Sequence, residues 1–452
     1  MKTRVLVPSG ALGLGYDKEA LERGLRKNPD IIAIDGGSTD SGPSYLGRGI
    51  SKYSRESTKL EWKILMEARQ KKDIPLLIGT AGTCGTNSSV DWFLDITKEI
   101  AKELNQTLKI VVIKCSQRKK DLLHSFQKGK ITELPNAPKI SKKTINDCTN
   151  VVALAGVEQI IEALKQSPDI IIAGRTTDTA VIAALPIMKG ITPGIAWHGA
   201  KIAECGALCT TDPLSGVVLV EFQKDNFTIE AMAENAMATP RTISAHMLYE
   251  NSDPYLLYEP GGALNVLNAK YTAINKKKVM VSGAQWVNSK DYTVKLEGTV
   301  QTGFQNVFIT ILRKNRYVKN SETWIVEVTK LAEKNIQNKL HLKKSDYSIE
   351  NRLIGKNASF GVLETSITEH FEIGIMTLVT SKTQETTDEV SRILNPILLH
   401  HPLTDCEELP TFAFPFSPAD ISRGPIYEFC LNHVLSLKNP MEVFDMEVIL
   451  YG

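Results

Sequence analysis

A chain of 452 residues exceeds the size at which one hydrophobic core stops growing, so more than one domain is expected. Its 42% hydrophobic and 23% charged composition is that of an ordinary globular protein, and 53 basic against 51 acidic residues leave a formal charge of +2. That balance excludes a whole-chain electrostatic footprint for nucleic acid or an anionic membrane. No apolar stretch reaches the ~20 residues that span a bilayer, and the N-terminus enters a strand without a secretory segment, so a cytoplasmic location is expected. The expected partner is a small, anionic substrate. The sequence does not assign a cofactor or say whether a divalent metal or nucleotide is needed, and homo-oligomerisation stays open.

Four apolar, β-branched runs each stop at a cluster of Gly, Ser, Thr and Asp and are followed by a helix-like stretch. The first, Val5-Leu6-Val7, enters Pro8-Ser9-Gly10-Ala11-Leu12-Gly13-Leu14-Gly15, and the spacing of Lys18 to Lys27 predicts an amphipathic helix ended by Asn28-Pro29. The second, Ile31 to Ile34, enters Asp35-Gly36-Gly37-Ser38-Thr39-Asp40, with a charged helix expected from Ser57 to Lys72. The third, Leu76 to Ile78, enters Gly79-Thr80-Ala81-Gly82-Thr83-Cys84-Gly85-Thr86-Asn87, and Ser88-Ser89 is expected to cap a helix from Val90 to about Leu104. Strands at Lys109 to Lys114 and Val151 to Leu154, with helices at Asp121 to Gln127 and Glu158 to Lys165, lead to the fourth. This run, Ile170 to Ile172, enters Ala173-Gly174-Arg175-Thr176-Thr177-Asp178. Strands alternating with helices imply right-handed crossovers and a Rossmann-like, mostly parallel α/β domain over residues 1–212.

After a Gly- and Cys-rich stretch, strand-like runs at Val217 to Phe222, Lys278 to Ser282, Tyr292 to Leu296 and Asn306 to Leu312 are mostly divided by Gly or Asn turns. Helices are expected from about Trp324 to Lys334 and from Glu385 to Leu394. These make a second, α+β domain over 213–405, followed by a C-terminal appendage over 406–452. The basic Lys339 to Lys344 stretch reads as a solvated loop.

Ligands of open α/β sheets sit beyond the carboxyl ends of the strands. Free amides and hydroxyls of Gly36, Gly37, Ser38, Thr80, Gly82, Thr83 and Thr176 are therefore expected to hold the substrate, although neither P-loop nor G-x-G-x-x-G spacing is met. Arg175 reads as a clamp for a carboxylate or phosphate, or equally as the partner of a loop Asp. Asp35 and Asp178 stand where carboxylates move protons or cap turns. Glu204 is a further candidate acid or base. Cys205 beside it, with His198 upstream, reads as a buried, inert thiol or as a nucleophile. If residues 244–254 are helical, His246 and Glu250 share a face as an acid-base or metal-binding pair. Seven scattered cysteines argue against a disulfide framework, and Cys205-x3-Cys209 lacks a second pair at zinc-ribbon spacing, so no metal is expected. Glu369-His370 and His400-His401 are lone pairs for which the sequence shows no matching motif.

Asp35-Gly36-Gly37, Gly174-Arg175-Thr176-Thr177-Asp178-Thr179-Ala180, Glu204-Cys205-Gly206-Ala207, the Ser244 to Gly262 segment and Phe414 to Glu428 together resemble the acyclic terpene utilisation (AtuA-like) family. The resemblance covers residues 1 to about 430. The tail is similar to the small domain often found beside that family, except that Lys438-Asn439-Pro440 omits a glycine. Family members accompany carboxylases, dehydrogenases and hydratases of branched-acid catabolism, which implies a small carboxylate or acyl-CoA substrate. The expected activity is an enzyme of lyase or hydratase type, or a hydrolase, with Asp35, Asp178 or Glu204 moving protons assisted by His246. Two alternatives are an actin-like ATP-binding module or reactivase, suggested by Asp35-Gly36-Gly37-Ser38-Thr39, and a non-catalytic scaffold for partner enzymes.

Overall fold

The apolar runs of the N-terminal half become the middle of a large mixed sheet. The strands in chain order are β1 (Lys2–Val7), β2 (Ile31–Asp35), β3 (Leu76–Gly79), β4 (Leu108–Lys114), β5 (Ile131–Glu133), β6 (Cys148–Ala153) and β7 (Ile170–Ala173). They continue with β8 (Val218–Gln223), β9 (Asn226–Ala231), β10 (Leu256–Glu259), β11 (Gly262–Asn265), β12 (Lys270–Asn275), β13 (Lys278–Ser282), β14 (Gln285–Asn288) and β15 (Tyr292–Leu312). The last four are β16 (Tyr347–Ile354), β17 (Ile373–Ser381), β18 (Ile421–Leu437) and β19 (Asp445–Tyr451). The computed structural model describes residues 2–365, 370–405 and 407–452; Cys406 and Glu369 lie outside this set.

The chain divides into two compact units, Met1–Val300 with Phe429–Gly452, and Gln301–Glu428. In the first, ten strands are ordered β12-β13-β9-β8-β1-β2-β3-β7-β4-β19. The block β1-β2-β3-β7-β4 is parallel, with Val5 opposite Ile31, Ile34 opposite Ile78 and Ile78 opposite Ile172. Every residue of β2, β3 and β7 is buried. Such strands are covered on both faces, which is why they read as continuous apolar runs. Helix Arg55–Lys72 packs on Asn87–Glu103, and helix Val157–Leu164 packs on Ala180–Met188. Antiparallel strands finish the sheet, β8 pairing with β1 and β19 with β4. Residues 218–231 and 445–451 thus extend the same sheet as the N-terminal strands, beyond the expected division at 212 and within the expected appendage. A separate three-stranded sheet is ordered β10-β11-β14.

Three local expectations are corrected. The helix expected after Ser88-Ser89 begins at Asn87, because the Thr86 hydroxyl caps it by accepting from the Ser89 amide. The Tyr292 to Leu296 and Asn306 to Leu312 runs are one strand, β15. Gly298 looks like a turn signal, yet it sits in register opposite Val151 of β6, where an added Cβ would come 2.9 Å from the Leu431 side chain. The Ser244 to Pro254 segment is not one helix; Pro240–His246 is helical and Glu250 is exposed at φ 58°.

Since β1 and β2 run parallel and helix Lys18–Arg26 lies between them in the chain, the Asp35-Gly36-Gly37 turn is not part of a hairpin. In the second unit, the later part of β15 pairs with β17, which pairs with β16. Helices Ser321–Leu340 and Gln384–His400 pack there around Phe308, Trp324, Val328, Ile375 and Leu394. Among the described residues no helix is long and apolar enough to cross a membrane.

Candidate functional site

Because β1, β2, β3 and β7 are parallel, the loops that follow them leave one edge of the sheet. Glycines let these loops touch backbone to backbone. A Cβ on Gly36 would lie 2.5 Å from the Thr80 carbonyl oxygen, one on Gly85 2.2 Å from the Arg175 nitrogen, and one on Gly10 3.0 Å from the Cys205 Cα. Gly37 faces Thr83 in the same way. The third loop holds Thr80 at φ 45° and Thr83 at φ 74°, conformations that cost β-branched residues free energy and are kept only when surrounding contacts impose them.

Arg175 is the hub of the first group. It is 6% exposed, and its Nε donates to Glu297 Oε2 at 3.0 Å while Nη2 reaches Oε1 at 3.4 Å. Nη1 donates to Thr80 Oγ1 at 3.3 Å and lies 3.7 Å from Asp178 Oδ1. Glu297 also accepts from Thr39 at 3.0 Å and from Lys295 at 2.9 Å. Burial works to raise the Glu297 carboxyl, but the Arg175 and Lys295 cations outweigh it and hold it at about 2. Asp35, 4% exposed, uses Oδ2 to accept from the Gly37 amide at 2.8 Å, and its buried Oδ1 has no hydrogen-bond partner among the described residues. Burial, then the neighbouring Asp178 charge, pushes its carboxyl well above the ordinary range. Asp178 is raised to about 6, first by dehydration, with Arg175 opposing; its side chain stays one-third exposed, which leaves it open to a ligand.

The second group follows helix Pro193–Ala203. Lys201 and Glu204, both buried, form an ion pair one turn apart. Cys205 is partly exposed, and His246, 6% exposed, stacks on Tyr249 with ring centroids 5.4 Å apart. Oxygen, sulfur and nitrogen atoms of Glu204, Cys205 and His246 all lie within 4.8 Å of one another. The His246 Nε2 is buried and has no hydrogen-bond partner among the described residues. Glu259 accepts from the Thr179 hydroxyl through Oε1, and its buried Oε2 has no hydrogen-bond partner among the described residues. Burial lifts Glu204 to about 8 and Glu259 to about 7, and Lys201 lowers both only in part. One ammonium cannot neutralise Asp178, Glu204 and Glu259 together, so this group retains protons near neutral pH. Burial raises the Cys205 thiol far above its ordinary range, with the Glu204 and Asp178 charges adding to it.

The two groups are linked electrostatically, since Asp178 acts on Asp35, Glu204 and Glu259. Among the expected substrate-holding residues, Thr80 and Thr176 bond each other and Arg175. The Thr83 hydroxyl accepts from the Lys52 amide at 3.1 Å, Gly82 packs on Ser89, and the Ser38 hydroxyl turns to Asp40. His198 belongs to neither group; it is fully buried between the Phe227 and Tyr271 rings, with Nε2 3.1 Å from the Tyr271 hydroxyl, and burial lowers it to about 3. Three residues escaped the sequence reading. Lys201 carries a signal, a lone cation in an apolar helix three residues before Glu204. Glu259 was visible only as one of several polar residues. Glu297 carries almost none, because charged residues alternate with apolar ones on many half-exposed strands.

The raised Glu259 carboxyl gives a signed prediction. Its native value near 7 exceeds that of the unfolded chain, so the stabilisation from holding the proton is present at low pH and lost as pH rises through 7. Glu259→Gln is expected to melt about 2–4 °C above wild type at pH 8. The gap should narrow at pH 5 and close at about pH 4, below the unfolded value, as read by calorimetry across this range.

Residues 52–407 match the family described as acyclic terpene utilisation family protein AtuA. No curated protein and no solved structure matches the chain.

Proposed function

Given that this chain belongs to the acyclic terpene utilisation (AtuA) family, we propose that it acts on a small carboxylic acid or acyl thioester of branched, terpene-type catabolism by acid–base chemistry of the lyase or hydratase kind. The observation that carries the reading is the pair Asp35 and Asp178. Two carboxyls raised chiefly by burial, with the Asp178 charge raising Asp35 further, beside a cation already neutralised by Glu297, are suited to passing one proton. A carboxyl near 6 is a competent base at neutral pH, and its one-third exposure leaves an approach for substrate. Removing a proton next to a carbonyl also needs donors for the oxyanion that develops. The amides of Gly36, Gly37, Thr80, Ala81 and Cys84 already donate within the fold, so among the described residues of these loops it is those of Gly82, Thr83 and Gly85 that would supply such groups. Asp35, with its carboxyl buried and raised, would return the proton as the acid.

Thermal shift separates this from the ATP-binding alternative, because a ligand that binds only the native state raises its melting temperature. Acyl-CoAs or branched carboxylates are expected to raise it, and ATP with Mg²⁺ is not; the opposite pattern would retire the reading. With a responding ligand in hand, Asp178→Asn is expected to keep the shift while lowering turnover roughly 10²-fold or more.

A further inference from the structure

We infer that Glu204, Cys205 and His246 form a binding site for a divalent transition-metal ion of the zinc type. The three offer one oxygen, one sulfur and one nitrogen donor, all within 4.8 Å of one another. Tetrahedral bonds of about 2.0–2.3 Å place donors roughly 3.3–3.8 Å apart, so the set closes by side-chain movement of about an ångström. An independent observation points to a ligand. His246 is 6% exposed, yet its buried Nε2 has no hydrogen-bond partner among the described residues. Buried imidazole nitrogens are ordinarily hydrogen-bonded, and a neutral one is the commonest protein donor to such metals.

The surroundings fit a cation. Lys201 occupies Oε1 of Glu204 and leaves Oε2 for the ion. Asp178 and Glu259 place two further carboxyl groups within electrostatic reach of Glu204, against the one ammonium of Lys201. Cys205 is held by its backbone against Gly10, and its partial exposure leaves an entry path. On binding, the Cys205 S–H bond is replaced by a sulfur–metal bond and the proton is released to solvent. Three protein ligands leave a fourth position open, the arrangement of catalytic rather than structural zinc. There the ion would polarise a substrate carbonyl; this role rests on the reaction proposed above, whereas the binding does not.

Cobalt(II) is the probe. Titrated into the chelator-treated full chain, it is expected to develop a near-ultraviolet thiolate-to-cobalt charge-transfer band that saturates at one equivalent and is removed by zinc. Cys205→Ser should abolish the band, and His246→Gln should weaken affinity roughly tenfold or more. Cys209→Ser should keep the band, since that thiol donates instead to the Gly206 carbonyl. No band in wild type, or an unchanged band in Cys205→Ser, overturns the site. Should Cys205→Ser fail to fold, wild type alone decides. Zinc must slow iodoacetamide alkylation of Cys205, read by peptide mass spectrometry, and an unchanged rate overturns the site. Neither readout uses a substrate. A chain that binds cobalt but processes no acid or thioester loses the proposed reaction and keeps the site, and the converse result removes only the site.

Discussion

Arg175→Met is expected to destabilise the protein by about 3–5 kcal/mol, because it leaves the Glu297 carboxylate buried without its main partner. Glu297 is 4% exposed, and Lys295, its other cation, is far more solvated. The variant should also change the acid limb of the stability curve. In wild type the Glu297 carboxyl is held near 2, below its unfolded value. It therefore contributes stability that is complete above the unfolded value and is lost as pH falls toward 2. Chemical denaturation from pH 7 down to pH 3 should show wild type losing more stability than Arg175→Met, with the two curves converging at the acid end. Parallel curves would mean that the pair contributes little and that Arg175 is free to meet an external anion.

Gly85→Ala is the second large effect. Gly85 has φ +62°, and a Cβ there would stand 2.2 Å from the Arg175 nitrogen and 2.5 Å from its Cα. Backbone cannot yield as a side-chain tip can, so the loops after β3 and β7 must separate. The left-handed backbone costs about 1–2 kcal/mol and forced repacking about 1–3 more, for a total of roughly 2–5. Gly129→Ala is the control. Its φ is +68° with no atom within 4 Å, so it should cost only about 1 kcal/mol. Calorimetry of the pair isolates the cost of parting the loops. Equal melting temperatures for the two variants would show that this close approach is not needed.

Much of the framework was legible in residue order. Ile31 to Ile34, Leu76 to Ile78 and Ile170 to Ile172 are strands because a segment dehydrated on both faces must be apolar throughout, and that requirement is written locally. The Gly-, Ser-, Thr- and Asp-rich stretches after them are the loops that meet, since glycine is needed where backbones approach, as at Gly36 and Gly85. The same local logic misled at Gly298, a turn signal inside β15, because pairing with β6 overrides a single glycine. It misled at Glu250 as well, since the helix that would align it with His246 ends at His246 itself.

The chemistry of the site was decided elsewhere. Whether Arg175 clamps a substrate or an internal acid depends on Glu297, 122 residues away. Whether Asp35, Asp178, Glu204 and Glu259 ionise depends on how much water the folded loops leave beside them and on which charges they share. Burial and Coulomb interaction are properties of position in space. The order of residues determined which segments could be strands and which loops could turn; only the tertiary structure decided which side chains became neighbours, and with them which kept a proton.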